Sequence, residues 1–503
     1  MLFPPLLLFA ITINIIYLVL KFTGGKYVLD KPDSRKRHKD AIPQIGGIVF
    51  GPLYLLIIWC YSLAPIWYII GCLVSIIIGL IDDSKPIRWE AKLLVQLGLM
   101  VYIILIFWNN INFITFYDYS LLSNKTFLLF LFILWFIGIF NAVNLIDGLD
   151  GLAAGFMIIL CFATSLSQSH IFNEINFILC YMLIGFLIFN QRKAKIFMGD
   201  AGSLFLGFHV AVLPLLYFNE SSIMGQLQMT PFIFLVSYLI ADTARVFFTR
   251  LIAKKNPMTP DTIHFHHLVL KQSHSYLSAI ASIYFLSALS SVFAVFSFYS
   301  NLTQTVMLFH LAALLFFILT PPIETYVPII AKIVSPFYNW QKSNIIGKPS
   351  LLRSGFMGVM VLGIVFTSIN SHFLAYLIMP DTLLSIFLLI IFILFNGISK
   401  ISRYALKIGF ILLLSSATYS VEITLLSKVF FVFTLISFVV FTFQRRYGTM
   451  INKYSSLDFL ILIICISGIA IPFSILSISG WFFIRILAIW FGLSFLTRRL
   501  IYY

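Results

Sequence analysis

Apolar residues run along this chain in long blocks separated by short polar clusters, not in alternation with polar ones. FLLFLFILWFIGIF (127–140) and FMIILCFAT (156–164) flank the polar stretch NAVNLIDGLDGLAAG (141–155). Blocks of about 17 to 25 apolar residues recur throughout, the length of a helix that crosses the hydrocarbon of a bilayer. The period-two alternation of an outer-membrane barrel is absent. The pattern predicts an all-α polytopic integral membrane bundle. The first 20 residues are apolar, with no basic start and no small-residue cleavage site, and so read as a retained span.

Basic clusters divide the blocks at 21–39, 85–92, 192–195, 245–255, 332–353, 400–407, 445–453 and 498–499. The intervening turns, such as 62–65, 109–123 and 219–230, are poor in Lys and Arg. Placing the basic loops in the cytoplasm gives an N-terminus outside, about 17 transmembrane helices and a cytoplasmic C-terminus. The gap from Lys92 to Arg192 holds four spans, with the NAVNLIDGLDG turn inside.

Composition sharpens this picture. Hydrophobic residues are 61% of the chain and charged residues 10%, against roughly half and a quarter in soluble domains. A large soluble domain is excluded. The formal net charge of +15 lies in short loops, so it marks orientation and not nucleic-acid binding. The five cysteines, Cys60, Cys72, Cys161, Cys180 and Cys465, sit in apolar runs without metal-ligand spacing and read as small core residues.

The acidic residues are scarce, 18 in 503, and unevenly placed. Asp82, Asp83, Asp147, Asp150, Asp200, Asp242 and Asp261 fall on one membrane face, all before residue 270. Asp82 and Asp83 end a span, Asp147 and Asp150 end another, Asp200 is expected in a loop, and Asp242 lies inside an apolar helix. A carboxylate at membrane depth costs about 2.5 to 3.5 kcal/mol on insertion scales, so it has a partner or a purpose. Clustered carboxylates repel, and a divalent cation relieves them; hard oxygen donors without cysteine select Mg²⁺ or Mn²⁺. Lys31, Lys85, Arg88, Lys92, Lys195, Arg245 and Arg250 share these loops. Acids for a metal beside cations for anionic oxygens is the pattern of phosphoryl transfer. Gly148, Gly151, Gly155, Gly199 and Gly202 interleave the motifs and allow backbone N–H groups to approach phosphate.

Each signal has a plainer alternative. A DD pair can be a solvated helix end, Asn141 and Asn144 can bond a neighbouring helix, and GDAGS can be an ordinary turn. The basic run 35–39 can simply fix topology or bind anionic lipid. His264, His266 and His267 read first as hydrogen-bond partners of a pyrophosphate, second as a polar loop on the headgroups, and last as a zinc site. The joint reading rests on the coincidence of four acidic loops on one side.

Those stretches, DKPDSRKRHKDAIPQIGGI (30–48), GLIDDSKPIRWEAKLLVQ (79–96), NAVNLIDGLDGLAAG, FMGDAGSLFLG (197–207) and DTARVFFTRLIAKKNPMTPDTIHFHHLVL (242–270), resemble the polyprenyl-phosphate N-acetylhexosamine-1-phosphate transferases. Within that family the chain is most similar to bacterial undecaprenyl-phosphate GlcNAc-1-phosphate transferases. The resemblance implies attack of undecaprenyl phosphate on a UDP-amino sugar with Mg²⁺, releasing UMP at the cytoplasmic face of the inner membrane. It implies that Asp82 and Asp83 include the residue that deprotonates or positions the lipid phosphate, and that Lys92 binds phosphate. Asn144 and Asp200 match the metal positions, with Asp147 supporting them. Asp150 and Phe197 match positions near the uracil, Lys31 the nucleotide end, and His264, His266 and His267 the pyrophosphate. The HFHH form resembles the GlcNAc branch; UDP-GalNAc and UDP-QuiNAc stay open.

The resemblance covers roughly residues 1–320 and implies a core of about 11 helices over 1–325. Residues 326–503 form an extension of about six helices, read as a docking module, a lipid-handling element or a homodimer surface. Arg485 is its intramembrane charge, either functional or snorkelling. Two rival functions remain at this stage. An ion-coupled transporter or lipid carrier also buries acids, but places them near mid-membrane in repeated halves, which this chain lacks. A non-catalytic scaffold is at odds with the intact motifs.

Overall fold

The computed structural model describes residues 4–23, 29–30, 41–111, 113–116, 119–121, 125–167, 169–221, 226–254, 263–272, 276–299, 380–396 and 405. Lys31, Asp261, Cys465, Arg485 and most of the extension lie outside them. The chain divides into two compact units, one spanning Ile15–Pro321, the other Met1–Asn14 with Pro322–Tyr503.

Helices dominate. In order they are α1 (Pro5–Thr23), α2 (Gly46–Cys60), α3 (Ile66–Ser84), α4 (Trp89–Phe107), α5 (Lys125–Ile146), α6 (Leu152–Thr164), α7 (His170–Asn190), α8 (Gly199–Ser221), α9 (Thr230–Leu235), α10 (Ser237–Ile252), α11 (Phe265–Gln272), α12 (Tyr276–Tyr299) and α13 (Pro380–Asn396). Among the described residues six, α1, α3, α4, α5, α7 and α8, are long and apolar enough to cross a membrane. The chain is a multi-pass membrane protein. The four helices expected between Lys92 and Arg192 are present as α4 to α7. One expectation changes: α6, at 13 residues, is shorter than the roughly 20 residues needed to span hydrocarbon.

Five short strands qualify the all-α expectation. β1 (Leu29–Asp30) pairs with β2 (Ile42–Pro43), and β3 (Phe113–Phe116) lies between β4 (Tyr119–Leu121) and β5 (Gln226–Gln228). β3 and β5 run parallel, with Ile114 opposite Leu227, and both side chains are buried. The turns at 109–123 and 219–230 thus join across more than 100 residues of chain.

α8 is the axis of the larger unit. Every residue from Ala201 to Phe218 is buried, as expected of a helix apolar on all sides. α3 meets it through small residues four apart, Gly71, Ser75 and Gly79. A Cβ at Gly71 would lie 2.0 Å from the Phe208 ring, and one at Gly79 would lie 2.3 Å from the Asp200 carbonyl. Small faces of this kind let helix backbones approach in a membrane.

Midway along α8 a buried polar chain joins four helices. The Tyr54 (α2) and Tyr68 (α3) hydroxyls are 2.9 Å apart, and Tyr68 Oη lies 2.6 Å from His209 Nδ1 (α8). His209 Nε2 lies 3.2 Å from Asn176 Oδ1 (α7), and Asn176 Nδ2 donates to the Phe172 carbonyl at 2.8 Å. That last bond fixes the amide, so Oδ1 faces the imidazole and His209 Nε2 must donate. A buried imidazolium here would lack a counter-charge, so Nδ1 accepts from Tyr68. Tyr54 then donates to Tyr68. Each hydroxyl and the ring N–H finds an acceptor, in one direction, without net charge.

In the other unit, Asn14 Nδ2 on α1 donates to the Leu388 carbonyl on α13 at 2.9 Å.

Candidate active site

The site begins where α8 begins. Gly199 takes φ +71°, and a Cβ there would meet Asp83 Oδ2 at 2.6 Å. The left-handed turn suits glycine and brings the first N–H groups of α8 against the end of α3. Asp83 Oδ1 accepts from the Asp200 N–H at 2.8 Å and Oδ2 from the Ala201 N–H at 3.0 Å. One carboxylate therefore satisfies two of the orphan donors of a helix N-terminus and complements its dipole. Its partners are 117 and 118 residues away.

Asp200 stands in the first turn of α8, not in the loop the sequence suggested. Helix placement fixes its direction. Lys92 Nζ donates to Asp200 Oδ2 at 2.7 Å and also contacts Asp82 Oδ2. Asp82 Oδ1 accepts from the Ile87 N–H at 2.6 Å, which shapes the turn into α4. Asp82 and Asp83, adjacent in sequence, thus face different elements. Lys92 is the ammonium bridging two carboxylates from separate helices.

α5 enters from the other side. Asn144 Oδ1 accepts from Ser203 Oγ at 2.6 Å. Ser203 is three residues after Asp200 on α8, so Asn144 approaches the same helix face about one turn away. Asn141 and Gln96 exchange two amide hydrogen bonds, at 2.8 and 3.1 Å, and Gln96 lies one turn along α4 from Lys92. Asn141 thus bonds a neighbouring helix, as its plainer reading had it. Asp147 follows α5. Desolvation first, then the charges of Asp200, Asp83 and Asp150, push its carboxyl up to about 7.

Asp150 works differently. Its Oδ2 accepts from the Lys193 and Ala194 N–H groups at 3.0 and 3.3 Å, and its carbonyl accepts from the Tyr276 hydroxyl at 2.8 Å. The next residue, Gly151, accepts from the Tyr284 hydroxyl and donates to Asn190. Asp150 therefore ties the acidic turn to the α7–α8 connection and to α12. Phe197 is held by its backbone: its N–H donates to the Pro43 carbonyl at 2.8 Å, and its carbonyl accepts from the Gly46 N–H at 3.0 Å.

The histidine segment reaches the acidic turn through Gly148, where a Cβ would lie 2.5 Å from His266 Nε2. His264 and His266 rings lie nearly parallel, 5.9 Å apart at 14°, and the His267 ring is 4.2 Å from that of His266. His264 Nδ1 donates to Asp242 Oδ2 at 3.0 Å. From sequence, Asp242 counts only as one of the clustered acids and Arg245 as one of the loop cations; the structure sets both on α10 and pairs them with each other and with the segment around His264. The signal available was a buried acid inside an apolar helix, 22 residues before a histidine.

The structure thus brings together Asp82, Asp83, Lys92, Asn144, Asp147, Asp150 and Asp200, with His266 against Gly148 and the rings of His264 and His267 against His266. Arg88 stands apart: it pairs at 3.6 Å with Glu90 on the surface, a contact worth little. Of the cysteines, Cys72, Cys161 and Cys180 are buried core residues, but Cys60 is exposed. It sits at the last residue of α2, beyond the packed part of the helix.

Among the described residues no three His, Cys, Asp or Glu side chains form a ready-made metal cage. A magnesium ion needs only one or two protein carboxylates when phosphate and water complete its shell. Asp200 on α8 and Asn144 on α5, whose Oδ1 meets Ser203 one turn from Asp200, are hard oxygen donors with the chemistry for such an ion. The ammonium of Lys92 already marks the spot between Asp82 and Asp200 as one that holds a cation.

Residues 65–218, which contain α3 to α7, all but the last three residues of α8 and most of these side chains, match the family described as glycosyl transferase family 4. A probable undecaprenyl-phosphate N-acetylglucosaminyl 1-phosphate transferase of Bacillus subtilis is 30% identical over 300 residues, covering 57% of this chain and 82% of that protein. The chain belongs to the polyprenyl-phosphate N-acetylhexosamine-1-phosphate transferase family. An undecaprenyl-phosphate alpha-N-acetylglucosaminyl 1-phosphate transferase of Thermotoga maritima is 32% identical, covering 48% of this chain and 72% of that protein. A phospho-N-acetylmuramoyl-pentapeptide-transferase of Lactobacillus gasseri is 35% identical, covering 41% and 72%. As a member of this transferase family the protein is a membrane-embedded phosphotransferase.

Proposed function

We propose that the protein transfers N-acetylhexosamine-1-phosphate, GlcNAc-1-phosphate by preference, from its UDP-sugar to undecaprenyl phosphate. This would be the first membrane step of a cell-envelope polysaccharide, run at the cytoplasmic face of the bacterial inner membrane. A lipid phosphate oxygen forms a bond to the β-phosphorus of the donor. The bond from that phosphorus to the bridging oxygen breaks, and UMP leaves with the electron pair. The observation that carries the reading is the meeting of Asp82, Lys92 and Asp200 from three separate helices, α3, α4 and α8, at the N-terminus of the buried α8 axis.

Each residue then has a physical task. Asp200 and Asn144 would hold Mg²⁺ or Mn²⁺, which supplies charge neutralisation for the phosphate oxygens. Lys92 releases one carboxylate and binds an anionic phosphate oxygen when substrates arrive. Asp83 holds the first turn of α8 and keeps Asp200 aimed, which leaves Asp82 as the member of the pair that faces the lipid phosphate. Asp147, buried beside Asp200 and Asp83 with a carboxyl pushed up to about 7, adds to the negative field that a bound cation would relieve. His264, His266 and His267 lie on the pyrophosphate side; Asp150 and Phe197 frame the nucleotide end.

The test is release of UMP from purified protein given UDP-GlcNAc, undecaprenyl phosphate and Mg²⁺. Turnover should need all three, stop with EDTA and return with Mg²⁺ or Mn²⁺. Parallel UDP-GalNAc, UDP-QuiNAc and UDP-MurNAc-pentapeptide reactions rank the donors. Equal label in lipid from wild type and Asp200→Asn would defeat the assignment.

A further inference from the structure

Asp242 is 6% exposed in α10, and its carboxylate receives three donors. Oδ2 takes His264 Nδ1–H at 3.0 Å, while Oδ1 takes the Phe265 N–H and Arg245 Nη2, each at 2.8 Å. Arg245 also donates to the Ile263 carbonyl at 2.6 Å. The acid and its arginine therefore grip the chain on both sides of His264, at residues 263 and 265, and the ring between them. A carboxylate only accepts, so the proton on the facing nitrogen belongs to the imidazole. Among the described residues, His264 Nε2 is buried and has no hydrogen-bond partner. A buried polar atom left unmade costs about 1 to 3 kcal/mol, a cost that a ligand or water removes. The parallel stack of His264 on His266, and of His266 over Gly148, directs this end of the segment toward the acidic turn.

We propose that Asp242 is a positioning residue: it keeps the proton of His264 on Nδ1 and the ring fixed, so that Nε2 is the acceptor offered to the O–H of a singly protonated phosphate group. Arg245 balances the charge of Asp242 in the dry interior and holds the carbonyl of Ile263. The inference rests on the phosphotransfer reading for what Nε2 meets, but the tautomer it assigns does not depend on turnover.

Two measurements decide it. In ¹⁵N-histidine-labelled full-length protein, difference spectra against His264→Gln isolate the His264 ring. The wild type should carry its proton on Nδ1. In Asp242→Asn, whose amide can donate to the ring, the proton should move to Nε2. A wild-type ring with its only proton on Nε2 overturns the proposal, whether or not the protein turns over. The kinetic arm is a double-mutant cycle. Asp242→Asn should lower kcat by about 10²-fold or more, with KM for UDP-GlcNAc within about twofold. In the His264→Gln background the same change should cost less than about threefold. A full, independent loss in that background means that Asp242 acts other than through His264, and overturns the assignment. Wild-type protein that turns over no UDP-sugar sinks the proposed function alone, because the spectra still report the tautomer.

Discussion

Two polar regions of this bundle share the α8 axis and are built on opposite rules. At its N-terminus, Asp82, Asp83, Asp200 and Lys92 gather charge, with Asp147 and Asp150 close by. About nine residues further on, Tyr54, Tyr68, His209 and Asn176 are fully buried, carry no charge and are joined hydroxyl to hydroxyl to ring to amide by hydrogen bonds. A satisfied network in a low-dielectric interior stiffens what it joins. A crowded charged cluster instead stores unfavourable energy that a ligand can relieve. The neutral chain holds α2, α3, α7 and α8 in register; the charged end uses that register to aim Asp200.

The comparison can be broken at either end. Asp200→Asn should have the largest effect, lowering kcat by about 10³-fold, on the scale of losing a main electrostatic contact to a phosphoryl transition state. Its melting temperature in detergent should hold or rise, since the change removes a crowded charge. If it loses stability in step with activity, the charged end is structural. Gly148→Ala comes next: the added methyl must displace His266, and turnover should fall about 10- to 100-fold with the fold intact. A variant with unchanged kcat would show that His266 has no required position.

At the neutral end the currency is stability. His209→Leu strands the Tyr68 hydroxyl and the Asn176 carbonyl oxygen, and should cost about 1 to 3 kcal/mol by denaturation, with kcat of the remaining folded enzyme little changed. Loss of kcat without loss of stability would move His209 into the chemistry. Tyr54→Phe is the smallest change. It removes only the first donor of the chain and strands nothing, so about 0.5 to 1 kcal/mol is expected. If it matches His209→Leu, the direction assigned to the chain is wrong.

Much of the charged end was legible because its residues come in short local motifs. The DD pair, the NAVNLIDGLDG turn and GDAGS each announce themselves as polar letters at the edge of an apolar block. The neutral chain was not legible. Tyr54, Tyr68, Asn176 and His209 look like single polar residues inside separate spans, and nothing local says that they meet. The same holds for β3 and β5, whose pairing spans two turns that read as unrelated. GDAGS has turn composition and so suggests a loop at Asp200; the cap from Asp83 is what draws Gly199 and Asp200 into α8. Asp242 was visible as a buried acid, but its partner only emerges when α10 and α11 pack.

By itself the sequence determined that the chain is a helical membrane protein, where its polar turns fall, and which residue types could handle phosphate. Those properties follow from local hydrophobicity and residue chemistry. Only the tertiary structure decided which carboxylate caps α8, which one faces Lys92, and which buried histidine has a carboxylate behind it. Such choices depend on distances of about 3 Å between helices far apart in the chain, and hydrogen-bond energies fall away too steeply for any sequence spacing to fix them.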